Sequence, residues 1–175
     1  MTSAPPRSDS ALCRVAVVDA TTAEAALAAG AQALAVTGIV PPGHFAELRA
    51  RWPDRTIHLA LDGPEDPGLD GGLVERPDGL LLRDARSGRD VAALGARLAV
   101  CEAVQGLPDG ACTILAAIRH PLGLIDARSF VGASPRLAGL GLDGHVPGDG
   151  PAGDQARCLI RLAAAAADVP AFELV

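Results

Sequence analysis

Short runs of Val, Ile, Leu and Ala alternate along the chain with stretches whose apolar positions recur every three or four residues, the signatures of buried strands and amphipathic helices. CRVAVVDA (Cys13 to Ala20) predicts a first strand, and TTAEAALAAG after it predicts a helix capped by Thr21 or Thr22 and ended at Gly30. AQALAVTGIV (Ala31 to Val40) predicts a second strand. After Pro41-Pro42, HFAELRARW has the helical spacing of Phe45, Leu48 and Trp52. RTIHLALD (Arg55 to Asp62) predicts a third strand. A Gly/Pro/Asp-rich passage from Gly63 to Gly72 reads as loop, and GGLVERP allows at most about one turn of helix before DGLLLRD (Asp78 to Asp84), the fourth strand.

From Ser87 to Val104, Val91, Leu94, Leu98 and Cys101 fall on one face of a longer helix, which Gly106-Leu107-Pro108 stops. CTILAAI predicts the fifth strand, LGLIDARSFV a helix, LAGLGLD the sixth strand, AGDQARCLIRLAAAA a helix and PAFELV the seventh strand. Strands alternating with helices imply an α/β fold with a parallel sheet, either open or curled into a barrel. Residues 13–175 read as one domain, short for a complete eight-stranded barrel, and the Pro/Ser-rich residues 1–12 as a disordered arm.

Composition narrows the chemistry. Aromatics make up only 2%, so the core is built from small aliphatic side chains. A net charge of −6 without any basic cluster excludes nucleic acid as a partner. No apolar stretch approaches the roughly 20 residues of a membrane span, and no signal segment opens the chain, so a cytoplasmic location is expected. The four cysteines form no CxxC pair and read as small apolar residues or surface thiols. All 15 basic residues are arginine, and without lysine there is no amine for Schiff-base chemistry.

Parallel β/α folds place their sites at the carboxyl ends of the strands. Those ends are Asp19, Thr37-Gly38, His58 to Asp62, Arg83-Asp84, Arg119-His120 and Asp143-Gly144-His145.

Several segments, taken in order, carry a resemblance. They are AAGAQALAVTGIVPP, LAVCEAVQGLPDGACTILAAIRHPLGLIDARSFVGASPRLAGLGL and ARCLIRLAAAAADVPAFELV. They are similar to the G-A-D-x-x-x-x-D-L-E-D-x-V-P-P, A-x-E-x-x-x-G-L-P with A-S-P-R, and R-x-x-x-x-x-A-A-x-A-x-x-V-P-A segments of the citrate lyase β-subunit and HpcH/HpaI aldolase superfamily. The resemblance implies an incomplete or modified TIM-like (β/α) barrel with about seven parallel strands. It also implies carbon–carbon bond cleavage or formation in acyl-CoA thioesters, with Mg²⁺ held by carboxylates to stabilise an enolate. The family's final G-K-x-x-I-H-P-x-Q region and eighth strand have no counterpart, so strands one and seven lack their usual neighbour.

Carried over position by position, the family site is altered. Arg119 stands where the family has the metal-binding glutamate of I-E-T, and His120 replaces its Thr. Ala35-Val36-Thr37-Gly38 replaces D-L-E-D. Arg83-Asp84 aligns with P-K, and His58 with the arginine of V-R-x-N. The second metal-binding aspartate falls on Val146, or on Asp143 after a shift of three residues. A guanidinium repels a cation, so the inherited site is expected not to bind Mg²⁺.

Three functional classes follow. The first is a degenerate member, a non-catalytic ligand-binding or partner subunit that holds an acyl-CoA or small carboxylate with Arg83, Arg119, Asp84 and Asp143. The second is an active lyase or aldolase with a rebuilt site, in which His58, His120, His145 and Asp143 or Asp62 hold Zn²⁺ or Mn²⁺. The third is a metal-free enzyme with His120 or His58 as general base and Arg119 as oxyanion partner. The Ala-rich last helix and the missing eighth strand point to a homo-oligomer or a complex with an intact homologue. For the anion pocket the bland alternative is that Arg83 and Arg119 each pair with a local acid such as Asp84 or Asp143; against the metal site stand the loop position of His145 and an outward-facing His58.

Overall fold

The computed structural model describes residues 12–19, 22–38, 40–143 and 150–175. Seven strands, β1 (Cys13–Val18), β2 (Ala33–Val36), β3 (Thr56–Leu61), β4 (Gly79–Leu82), β5 (Ile114–Ile118), β6 (Leu137–Asp143) and β7 (Ala171–Leu174), pair in chain order and close into a parallel barrel. The seam that joins β7 back to β1 pairs Cys13 with Phe172, Arg14 with Glu173 and Val15 with Leu174. Closure therefore needs no eighth strand.

The connecting helices are α1 (Ala23–Ala28), α2 (His44–Arg51), α3 (Gly68–Val74), α4 (Gly88–Val104), α5 (Pro121–Ile125) and α6 (Pro151–Ala166), with a 3₁₀ turn at Ala127–Phe130. Two differ from the sequence expectation. The end of the Gly/Pro/Asp-rich passage and the GGLV after it together form α3, which at seven residues is about two turns, because Leu69 and Leu73 dock into the core and tertiary burial outweighs the low helix propensity of its glycines. The stretch LGLIDARSFV divides into α5 and the 3₁₀ turn at Asp126. Thr22 stands at the start of α1, but its hydroxyl bonds Asp19 Oδ1 at 3.0 Å and makes no side-chain cap on the helix. The arm expected over residues 1–12 lies outside the described residues up to residue 11, as do Thr21 and His145.

Two apolar layers follow from strand alternation. Outward residues such as Leu34, Leu59, Leu82, Ile114 and Leu142 pack under the helices. Inward residues Val15, Ala33, Ala35, Ala60, Leu81 and Ala117 meet Phe172 and Leu174 inside the barrel. The Phe172 ring lies across β6, where a Cβ on Gly141 would sit 2.3 Å from a ring carbon, so β6 carries glycine at its inward positions 139 and 141. The helix start at Ser87 has a capping box, with Asp90 returning bonds to the backbone N–H of Ser87 and Arg86.

Candidate functional site

The carboxyl ends of the strands form a charged mouth over this apolar interior. Inward alternation carries past each strand end, so Asp62, Arg83, Arg119 and Asp143 all follow buried interior residues. Asp62 and Arg83 extend paired strands, and Arg83 Nη1 donates to Asp62 Oδ1 at 2.9 Å. Arg119 follows the end of β5 and Asp143 is the last residue of the paired β6, with Arg119 Nε 3.7 Å from Asp143 Oδ2. The second pair is asymmetric, because the Arg119 side chain is 53% exposed and that of Asp143 only 8%. Arg83 is level with Ala117, two residues before Arg119, so its guanidinium belongs to a deeper layer, and its Nε is buried without a hydrogen-bond partner.

The bland pairing is thus present with one change of partner. Asp143 does hold Arg119, but Arg83 pairs with Asp62, while Asp84 turns outward to Arg86, 3.1 Å away. Asp84 is not brought to the arginines of the mouth.

His58 is also placed differently from the strand-end expectation. It is the third of six residues in β3, its side chain points into the lower half of the barrel, and it lines a cavity of about 230 Å³ with Cys13, Ala33, Leu115 and Phe172. Burial holds its pKa below the ordinary imidazole value, against the opposing pull of a Leu34 backbone hydrogen bond and the Asp78 charge. Its level on β4 is Gly79, next to Thr113, and Arg119 lies six residues beyond Thr113, or about 20 Å along the strands. His120 is exposed at the start of α5, where its Nδ1 accepts the Leu122 N–H at 3.2 Å. The structure therefore separates His58 from His120 and Arg119.

The residues present do not fit the magnesium site that the resemblance implies. Arg119 occupies the β5 end, and Asp143, the acid aligned with the second ligand after a shift, faces that guanidinium instead of open space. Among the described residues, no three His, Cys, Asp or Glu side chains gather as a metal site.

Sequence reasoning missed two cavities beside the mouth. One, of about 440 Å³, is bounded by Thr37, Gly38, Asp62, Asp66, Gly68 and Gly71. Its floor loop is fixed by Asp66, which accepts from the N–H groups of Asp62 and Gly68 at 2.8 Å, and by Arg97, which donates to the carbonyls of Pro64 and Asp66. The signal was the Gly68, Gly71, Gly72 spacing, which puts a side-chain-free face on a helix once α3 is recognised. The other cavity, about 490 Å³, lies between Arg86, His120, Leu122, Gly123 and Asp126.

The motif residues that carried the resemblance sit at the opposite end. Glu102 of α4 is fully buried, and Arg136, just before β6, donates to both its oxygens at 2.8 and 2.7 Å. The Gly110 and Cys112 N–H groups complete the carboxylate's bonds. This cluster ties the Gly-Leu-Pro turn to the starts of β5 and β6, an architectural task.

No protein-family model and no curated protein sequence matches the chain. Solved structures do. An HpcH/HpaI aldolase from Desulfitobacterium hafniense superposes with a TM-score of 0.69 at 11% identity, covering 94% of this chain and 78% of that one. A HpcH/HpaI aldolase/citrate lyase family protein from Burkholderia cenocepacia gives a TM-score of 0.67 at 14% identity, with coverages of 94% and 80%. RipC from Yersinia pestis gives 0.57 at 19% identity, with coverages of 93% and 75%. The chain thus has, in seven-stranded form, the fold of the HpcH/HpaI aldolase and citrate lyase structures.

Proposed function

We propose that the barrel is a non-catalytic ligand-binding subunit that holds a small carboxylate, free or carried on an acyl-CoA, at the C-terminal mouth. The observation that carries this reading is the Arg119–Asp143 pair: a guanidinium at the β5 end engages the acid that would otherwise be available to a metal. The Arg119 side chain is 53% exposed at the mouth, and a guanidinium binds a planar anion through two parallel hydrogen bonds. Arg83, deeper and paired with Asp62, contributes an ion-pair dipole and no net charge beneath the ligand. The rebuilt-lyase and metal-free readings that use His58 with Arg119 need those side chains together, and they lie at opposite ends of the barrel.

The test is calorimetry on chelator-stripped full-length protein, titrated with Mg²⁺, Mn²⁺, Zn²⁺, malonate and malonyl-CoA. Carboxylate binding is expected, weakened about tenfold or more by Arg119→Ala, the usual scale for a charge-assisted hydrogen bond. His58→Ala leaves it unchanged. Micromolar metal binding that disappears in His120→Ala would instead establish a rebuilt metal site. Carboxylate affinity indifferent to Arg119→Ala and Arg83→Ala would sink the proposal.

A further inference from the structure

Small residues at inward positions empty the lower half of the barrel. Ala33 on β2 and Gly139 on β6 line the cavity of about 230 Å³ beside Phe172. Gly79 on β4 lets the His58 imidazole lie against that strand, because a Cβ there would sit 3.0 Å from the ring's Cδ2. Leu115 and Phe172 supply apolar walls, and among the described residues no charged side chain lines the space. Thr56 and Pro170, both exposed, stand at its rim, so it opens at the amino ends of the strands.

His58 gives this apolar space a polar handle. The residue is 7% exposed, and its Nδ1 is buried without a hydrogen-bond partner. Native proteins leave few buried nitrogens in that state unless a ligand or water completes them. Burial lowers the pKa and keeps the ring neutral at pH 7, with one N–H and one lone pair. The Leu34 backbone pulls the pKa the other way, as a carbonyl acceptor does, and so claims the N–H. The lone pair is left for a donor from outside the chain. The space far exceeds the roughly 30 Å³ of one water, and an apolar cavity of about 150 Å³ already holds a benzene ring. An ionised ligand is excluded, since its charge would be desolvated with nothing to pair it.

We propose that this cavity is a second ligand site, at the amino end of the barrel, for an uncharged monocyclic molecule bearing one hydroxyl, whose O–H donates to His58 while its ring rests against Phe172 and Leu115. The site lies at the opposite end from Arg119 and is independent of the carboxylate reading at the mouth.

Amide NMR of the full chain, titrated separately with p-cresol and with toluene, tests this. p-Cresol should shift the amides of Ala33, His58, Leu115 and Gly139 saturably and leave those of Arg83 and Arg119 unmoved. His58→Leu keeps a side chain of similar size but removes the acceptor, so the ratio of p-cresol to toluene affinity should fall about tenfold, the scale of one hydrogen bond. Ala33→Leu fills the space and should abolish saturable binding of both probes. Urea unfolding verifies the fold of each variant, and the titration of the unaltered chain decides the site even where a variant does not fold. No saturable shift of the four amides up to the solubility of p-cresol, shifts confined to the mouth, an affinity ratio unchanged in His58→Leu, or binding retained in a folded Ala33→Leu would each overturn the proposal.

Discussion

Glu102 and Arg136 stand 34 residues apart in sequence and within 2.8 Å in the fold, and that separation decides what each residue's type reveals. Both lie in motifs that carry the resemblance, yet spacing along a chain does not show that a helix residue and a pre-strand residue share a buried pair. The charges at the strand ends were more legible, because β alternation alone puts Arg83, Arg119 and Asp143 over the mouth, although the Asp62 partner depends on register. Burial pushes the Glu102 pKa up, but the hydrogen bonds from Arg136, Cys112 and Gly110 outweigh it and hold the group below its ordinary 4.5. With the folded pKa depressed, the unfolded chain takes up protons first as pH falls. The pair's stabilisation is therefore full above about pH 4.5 and lost as pH drops through the folded value. At neutral pH, Glu102→Gln should cost about 1–3 kcal/mol, because Arg136 keeps only the exposed Asp109 carboxylate and the Cys112 carbonyl, and Glu102→Met with Arg136→Met should recover part of it, the buried Cys112 N–H losing its acceptor. Urea unfolding at pH 7 and through the acid range checks both, with a shallower acid loss expected in the double variant. A single-variant cost below about 1 kcal/mol would show that the buried pair is dispensable.

At the scale of elements, strand and helix positions were readable where one period dominates, as for β6, found at Leu137–Asp143 as expected, and α4, whose four-residue apolar spacing and Ser87 cap agree. Legibility failed where tertiary packing overrides propensity. Leu69 and Leu73 order α3 in spite of three glycines, and the run after His120 breaks at Asp126 because Phe130 turns into the core. The glycines of β6 were visible but unexplained, since a glycine in a strand reads equally as a bulge, a bend or a close approach. Here it is close approach to an aromatic ring. Gly141→Ala removes backbone freedom from the unfolded chain and would by itself stabilise a strand, but its methyl would meet Phe172 ring carbons at 2.3–2.4 Å. The expected net effect is a loss of about 1–3 kcal/mol, the usual range for overpacking. Phe172→Leu in the same chain should make the alanine less harmful than it is alone, a coupling that a double-mutant cycle in urea measures. Additive effects would mean that the ring does not set the identity of residue 141.

For the whole molecule, the number and order of the strands follow from alternation, whereas closure does not, because an open sheet and a barrel share the same βα pattern along the sequence. Closure depends on bore: a barrel narrows as strands are removed, so seven strands need smaller inward side chains than eight. The inward set answers that need with Ala33, Ala35, Ala60 and Ala117, glycines along β6, and Phe172 and Leu174 as the filling. These residues could be counted in the sequence, but their inward direction becomes visible only once register is fixed. If closure is intrinsic, the β1–β7 seam is as cooperative as the rest of the barrel and exposes no sticky edge in the native state. Native-state hydrogen exchange decides this through the seam amides, such as Val175, which donates to the Val15 carbonyl at 3.0 Å, and those of strand β7. Strand β7 amides should exchange at the same free energy as Leu81 and Ala117, through global unfolding alone. Exchange faster by about 100-fold or more at the seam, with β4 and β5 still protected, would describe a sheet that opens between β1 and β7 and would remove intrinsic closure from the account of this fold.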